Sequence, residues 1–217
     1  KIGAGQLFVA LRGENFDGHE FLETAIASGA VAALVAADAV ASLNEIALPL
    51  LVVEDTRLAL GSLAAAWRSR FVLPLIAVTG SNGKTTSKEM IASILQAAHG
   101  DTILATQGNF NNDIGLPLTL LTLDAQHRAA VIEMGMNHPG EIAYLARIAK
   151  PTVALVTNAQ RAHLAGMGSI ETIAAEKGSV FQELGADGVS VFRADDEWAD
   201  LWRQQSAGHA AKTFALE

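Results

Sequence analysis

The chain alternates short apolar runs with longer segments in which apolar residues recur at helical spacing. A short apolar run is typical of a buried strand, and the helical spacing is typical of a helix with one buried face. The runs predict strands over residues 7–11, 31–36, 50–53, 75–78, 102–105, 129–133, 153–157 and 189–192. The longer segments predict helices over residues 21–28, 56–71, 84–98, 116–123, 139–148 and 170–184, whereas residues 38–49 give no clear pattern.

This regular succession of strands and helices indicates the fold class. Strands that alternate with helices form parallel sheets covered by helices, so we predict an α/β protein. The rhythm restarts after Leu73-Pro74, and a chain of 217 residues is long enough for more than one domain. We therefore expect a small N-terminal α/β domain over residues 1–73 and a second, parallel-sheet domain over residues 74–217.

Composition excludes several classes of protein. Half of the residues (50%) are hydrophobic and 18% are charged, which excludes a disordered chain. The net charge of −8 and the lack of a Lys/Arg run argue against nucleic acid as a partner. The absence of cysteine excludes a disulfide scaffold and a cysteine nucleophile, and we expect a cytoplasmic protein. No stretch approaches the roughly 20 apolar residues of a membrane span.

The most specific motif lies between a predicted strand and a predicted helix. It reads T-G-x-x-G-K-T-T and comprises Thr79, Gly80, Ser81, Asn82, Gly83, Lys84, Thr85 and Thr86. Glycines let backbone N–H groups turn toward phosphate oxygens, and the following helix start adds partial positive charge. Lys84 is placed to reach the β- and γ-phosphates of a nucleotide, and the Thr85 hydroxyl to ligate Mg²⁺. We predict a nucleotide-binding loop.

The spacing of this loop departs from the common pattern G-x-x-x-x-G-K-[ST], because Val78 stands five residues before Gly83. The alternative is a turn followed by a chance Lys-Thr pair, which the flanking strand and helix disfavour. The chain has neither an Asn-Lys-x-Asp nor an Asp-x-x-Gly element of GTPases, so we expect an adenine nucleotide, ATP.

Other polar residues follow predicted strands or lie in predicted loops and helices. Glu133 and Asn158 stand at strand ends, where ligands collect in parallel sheets. His163, Lys177 and the Asn-rich loop 108–115 complete the candidates. Each has a structural alternative: a solvent-facing carboxylate, a surface histidine, a lysine whose stem lies along apolar surface, or a plain surface loop.

The motif at residues 80–86 resembles the phosphate loop of the Mur ligases, which add amino acids to UDP-N-acetylmuramic acid during peptidoglycan synthesis. Residues 108–117, 133–142 and 162–169 are similar to the family member that adds D-alanyl-D-alanine. Sister ligases usually carry Asp-His where this chain has Ala162-His163. Residues 5–13 and 17–19 resemble the UDP-binding domain of that member.

The resemblance implies residue roles in an ATPase domain that uses ATP and Mg²⁺. Lys84 would hold the γ-phosphate, and Thr85 and Glu133 would hold one Mg²⁺. His163 would hold a second Mg²⁺, and Lys177 matches a lysine that is carbamylated in several members. These four charged or imidazole side chains would be the catalytic residues.

The resemblance also implies the partners and the reaction. ATP would phosphorylate the terminal carboxylate of UDP-MurNAc-tripeptide, and D-alanyl-D-alanine would attack the acyl phosphate. Asn158 would contact the nucleotide, Asn109 and Asn112 would face the substrate, and Asp17 and His19 would shape the UDP site. A turn-forming role for the last two is an equal alternative.

Two other functions stay open at this point. One is a sister ligase that adds a single amino acid, and the other is a non-catalytic module that uses ATP as a switch. The chain begins without Met at Lys1, and the family has a third, C-terminal domain, so we expect a fragment of a longer protein, itself inactive in the full reaction. We expect the enzyme to be a monomer.

Overall fold

The computed structural model describes residues 2–43, 46–161 and 167–215 of the chain. The chain divides into two compact units, Lys1–Leu63 and Ala64–Glu217. Both units contain parallel sheets with helices, as the hydrophobic pattern predicts. Within the described residues, no helix is both long and apolar enough to cross a membrane.

The first unit is built on a small parallel sheet. Its strands are β1 (Leu7–Val9), β4 (Ala32–Ala36) and β5 (Leu50–Val53), in the order β1-β4-β5, with β2 (Arg12–Gly13) and β3 (Phe16–Asp17) forming a separate antiparallel pair. Its helices are α1 (Leu22–Ala27), the start of α2 (Thr56–Arg68), and two 3-10 helices, Gly18–Phe21 and Ala37–Ser42. Apolar residues of β4 and α1 form its core, among them Leu22, Ala33 and Val35.

The second unit is built on a larger parallel sheet. Its strands are β6 (Leu75–Thr79), β7 (Ile103–Ala105), β8 (Ala129–Glu133), β9 (Val153–Val156), β10 (Val189–Arg193) and β11 (Ala210–Phe214), in the order β11-β10-β9-β6-β8-β7. Its helices are α3 (Lys84–His99), α4 (Gly115–Leu120), α5 (Glu141–Ala149), α6 (Ile170–Gln182) and α7 (Ala199–Gln205). Every residue of β8 is buried, which explains why this strand is a continuous apolar run up to Glu133.

Helix boundaries follow from local chemistry. The Ser169 hydroxyl accepts a hydrogen bond from Thr172 N at 3.2 Å and so caps the start of α6. Pro117 lies within the first turn of α4, where its missing N–H leaves no helical hydrogen bond unmade. Gly100, with a φ of +65°, ends α3 in a conformation that disfavours other residues.

The predicted strands and helices all occur, but the pattern missed several elements. It did not predict α7, β11 or the β2–β3 pair, because short or exposed elements carry little periodic signal. The compact units divide after Leu63, whereas the sequence rhythm places a boundary after Leu73. Trp67 and Arg68 pack in the second unit, where Trp67 Nε1 donates to Leu123 O at 2.9 Å and Arg68 Nε to Ala149 O at 3.0 Å.

Helices α6 and α7 pack closely because α6 carries a glycine at the contact. Trp202 Nε1 donates to Ala174 O at 3.0 Å, and the Gln205 amide donates to Ala175 O at 2.8 Å. A Cβ on Gly178 would lie 1.8 Å from Gln205 Oε1 and 2.7 Å from Trp202 Cδ1. A larger residue therefore cannot occupy this position without displacing the Gln205 and Trp202 side chains of α7.

We predict that Gly178→Ala lowers the free energy of unfolding by about 1–3 kcal/mol, as expected for overpacking. The matched control is Gly185→Ala, because a Cβ there meets no atom within 4 Å. Thermal unfolding of both variants checks this. Equal melting temperatures for Gly178→Ala and Gly185→Ala would contradict the close packing of α6 against α7.

Candidate functional site

The phosphate-loop motif follows the central strand of the larger sheet. β6 pairs with β8 on one side and β9 on the other; the connection that leaves β6 runs to β7, on the β8 side, whereas the connection that leaves β8 crosses to β9, on the other side of β6. Such a point of reversal leaves a crevice at the carboxyl ends of the strands, where α/β proteins bind ligands. The loop 80–83 lies at this edge of the sheet.

Two glycines give the loop its shape. Gly80 has a φ of +149°, and a Cβ there would lie 1.9 Å from the Thr157 hydroxyl oxygen. Gly83 has a φ of +77° and immediately precedes α3. Both backbone conformations are ones that L side chains rarely adopt, so the loop depends on glycine at these positions.

Hydrogen bonds fix the loop to the segment that follows β9. Ser81 N donates to Asn158 O at 3.0 Å, and Asn82 N donates to Asn158 Oδ1 at 3.0 Å. Asn82 Nδ2 donates to Gln160 Oε1 at 2.6 Å, and the Thr157 hydroxyl donates to Asn82 O at 2.7 Å. Asn158, predicted as a nucleotide contact, therefore holds the loop in place.

The Lys84 ammonium lies at the mouth of the loop. Its Nζ donates to Gly80 O at 2.8 Å and to Ser81 O at 3.3 Å. Burial lowers the pKa of Lys84, and the nearby Glu133 carboxylate opposes this shift. Thr79 Oγ1 is enclosed at the end of β6 with no hydrogen-bond partner among the described residues, and Thr86 is exposed on the first turn of α3.

Glu133 forms hydrogen bonds with three other residues of the site. Its side chain is buried, with Oε2 accepting from the Thr85 hydroxyl at 2.9 Å and Oε1 accepting from Asn111 Nδ2 at 2.8 Å. Its backbone N–H donates to Thr106 Oγ1 at 2.9 Å. A hydroxyl oxygen next to a carboxylate is the oxygen donor set that Mg²⁺ prefers, so these residues fit that ion. The described residues contain no cluster of three or more His, Asp or Glu side chains with metal-binding spacing.

Lys177 is a buried lysine close enough to Lys84 for the charge of one to affect the other. The residue is 2% exposed. Burial, together with the positive charge of Lys84, lowers the pKa of Lys177 to about 7, and Glu176 opposes the shift. The Glu176 carboxylate accepts from Gly140 N at 2.9 Å and Ile142 N at 2.8 Å, so it holds the start of α5.

The asparagines of the loop 108–115 make different contacts. Asn111, for which the sequence indicates no individual role, contacts Glu133. Asn112 Oδ1 instead accepts from Gly115 N at 2.8 Å and caps the start of α4. Asn109 is exposed. Adjacent asparagines look alike in sequence, and only the loop conformation distinguishes them. His163 lies outside the described residues.

The first unit holds the remaining predicted residues. His19 is buried, with Nε2 accepting from Ala36 N at 2.9 Å and Nδ1 bonded to the Asp17 carboxylate. The Asp17 carboxylate also binds Arg12 Nε at 2.9 Å. Burial alone would raise the pKa of Asp17, but hydrogen bonds from His19 and Arg12 lower this pKa to about 2. Both ring nitrogens of His19 therefore form hydrogen bonds to other residues of the protein. A cavity of about 130 Å³ lies nearby and is lined by Arg12, Ala36, Glu54, Asp55, Thr56 and Arg57.

Known families match both parts of the chain. The Mur ligase middle domain matches residues 78–217, and the Mur ligase family catalytic domain matches residues 1–68. The chain belongs to the Mur ligase family. The match to the middle domain includes the phosphate loop, Glu133 and Lys177.

This Mur ligase chain is similar to individual members of the family. The UDP-N-acetylmuramoyl-tripeptide--D-alanyl-D-alanine ligase of Haemophilus influenzae is 45% identical over 216 residues, which are 99% of the chain and 46% of that protein. MurF from Acinetobacter baumannii superposes with a TM-score of 0.91 at 38% identity, covering 98% of the chain and 46% of that structure. MurF from Thermotoga maritima in complex with ADP gives 0.87 at 32% identity, covering 99% and 48%. The chain thus spans about half the length of these relatives.

We predict that the Lys177 amine titrates with a midpoint near pH 7 rather than at its ordinary 10.5. Lysine Cε chemical shifts of carbon-13-labelled protein measure this, and Lys177→Met identifies the signal. Because the native protein releases this proton at lower pH than the unfolded chain, its stability relative to Lys177→Met rises from about pH 7 to 10.5. A midpoint near 10.5 would show that the amine is not buried.

Proposed function

We propose that the complete protein is an ATP-dependent ligase that joins D-alanyl-D-alanine to UDP-MurNAc-tripeptide in peptidoglycan precursor synthesis. The observation that carries this proposal is the arrangement of Lys84, Thr85 and Glu133 at the carboxyl edge of the sheet. The names of the relatives supply the substrates. The whole reaction is proposed for the complete protein, because this chain spans 46% of its Haemophilus influenzae relative.

The phosphate loop would bind ATP through its backbone N–H groups and Lys84. Lys84 would leave the carbonyl oxygens of Gly80 and Ser81 and turn to the γ-phosphate, where a negative charge favours the ammonium form. The Thr85 hydroxyl and the Glu133 carboxylate would hold Mg²⁺, and we propose His163 as a ligand of a second ion. Bound there, Mg²⁺ would neutralise phosphate charge.

The proposed chemistry has two steps. The terminal carboxylate of the tripeptide attacks the γ-phosphorus, forming a C–O–P bond while the bond to ADP breaks. The amine of D-alanyl-D-alanine then attacks the acyl carbon, loses a proton, and expels phosphate to leave an amide. Lys84 and the loop N–H groups would hold the transferring phosphate in place, so most of the catalysis is positioning and charge stabilisation.

Lys177 would act in this site as a carbamate. Carbamylation joins the neutral amine to CO₂ with loss of a proton, and burial of Lys177 favours the neutral amine. The product is an anion close to Lys84, whose charge already affects Lys177. We propose Lys177 as a catalytic residue in this modified form.

The first unit would bind the UDP part of the acceptor. Arg12 lines its cavity and supplies a positive charge, and Asp17 and His19 shape the adjoining turn. Asn109 and Asn112 would lie toward the acceptor. We further propose a monomeric, cytoplasmic enzyme, and we expect this chain alone not to complete the reaction.

We predict that the complete protein releases phosphate from Mg-ATP only when UDP-MurNAc-tripeptide and D-alanyl-D-alanine are both present. Lys84→Ala and Glu133→Gln should each lower kcat by at least about 100-fold, as loss of transition-state charge stabilisation does. Lys212→Ala, in exposed β11, is the matched control and should retain activity.

Two results would contradict this proposal. Release with a shorter acceptor and a single amino acid would make the protein a sister ligase. Tight ATP binding without release under any acceptor would favour a nucleotide-dependent switch and would remove the catalytic roles of Glu133 and Lys177.

A further inference from the structure

Lys88 is a buried cation that the proposed reaction does not use. It lies on α3, one helical turn beyond Lys84, and is 1% exposed. Burying an ammonium is unfavourable unless hydrogen bonds replace its water, so the residue needs a structural or functional reason. No other buried lysine except Lys177 is found among the described residues.

Hydrogen bonds connect Lys88, through Thr106, to Glu133. Its Nζ donates to Thr106 O at 2.8 Å and binds Glu89 Oε1 at 2.5 Å. Thr106 follows β7, its N–H donates to Val131 O at 3.1 Å, and its hydroxyl accepts from Glu133 N at 2.9 Å. Lys88 therefore reaches the backbone of Glu133 through a single intervening residue.

Helix α3 thus holds Glu133 at two points. Thr85, on the first turn, donates to the carboxylate, and Lys88, on the next turn, fixes Thr106 at the backbone. We infer that Lys88 is a positioning residue that sets the separation of Thr85 and Glu133 for a divalent cation. This inference rests on the proposed function, in which those two residues hold Mg²⁺.

The two partners of Lys88 differ in environment. Thr106 is buried, whereas the Glu89 side chain is 65% exposed and can exchange its ion pair for water. Water cannot reach Lys88 at Thr106, so only the carbonyl oxygen of Thr106 can accept that hydrogen bond. A purely charge-compensating role would depend on Glu89, and a positioning role depends on Thr106.

The test is Mn²⁺ binding to the complete protein with ADP, measured by electron paramagnetic resonance. Lys88→Met should weaken Mn²⁺ binding about 10-fold or more, the usual effect of losing a group that orients a metal ligand. ADP affinity without metal should not change. Lys88→Arg should restore Mn²⁺ binding because it can still donate to Thr106 O, and Glu89→Gln, the matched control, should leave it unchanged.

A second variant covers the case in which Lys88→Met does not fold. Thr106→Val removes the hydroxyl that accepts from Glu133 N and should weaken Mn²⁺ binding similarly, whereas Thr106→Ser should not. In the double variant the two losses should not add, because both act through one chain of contacts. Unchanged Mn²⁺ affinity in Lys88→Met overturns the inference, even if the melting temperature of that variant falls. If Lys88→Met does not fold, unchanged Mn²⁺ affinity in Thr106→Val overturns it.

Glu133→Gln separates this inference from the proposed function. If Mn²⁺ binding with ADP is unaffected by Glu133→Gln, the proposed metal site is wrong. If it depends on Glu133 but not on Lys88, only the positioning role is wrong.

Discussion

The buried carboxylate of Glu133 is the interaction on which the phosphate-binding edge depends. It is shared between a hydroxyl from the start of α3 and an amide from the loop after β7, while Thr106 holds its backbone. A carboxylate enclosed in this way is stable only while its hydrogen-bond donors stay in place. The strand order, with β8 beside β6, brings these segments together.

The same edge concentrates positive charge that burial disfavours. Lys84 and Lys177 both have lowered pKa values because burial penalises their charged forms. A polyphosphate would reverse this penalty by favouring the ammonium of Lys84, so the nucleotide and the site stabilise one another. Glycine at positions 80 and 83 allows the backbone to approach such a ligand closely.

Much of this arrangement was predictable from sequence because it rests on local patterns. The strand-loop-helix order around Gly80 and the strand-end position of Glu133 each follow from a few neighbouring residues. Asn111, Lys88 and Thr106 were not predicted, since their roles depend on contacts between segments distant in sequence. Likewise α7 and β11 are short or exposed, and their periodicity is too weak to identify them.

We propose that Thr85 and Glu133 together hold the metal ion of a bound nucleotide. Crystals of the complete protein with ADP and Mn²⁺ test it through the anomalous scattering of manganese. We expect a peak in direct contact with the Thr85 hydroxyl and on the carboxylate side of Glu133, with Lys84 turned to the phosphates. A manganese peak remote from both residues, with their mutual hydrogen bond intact, would contradict it.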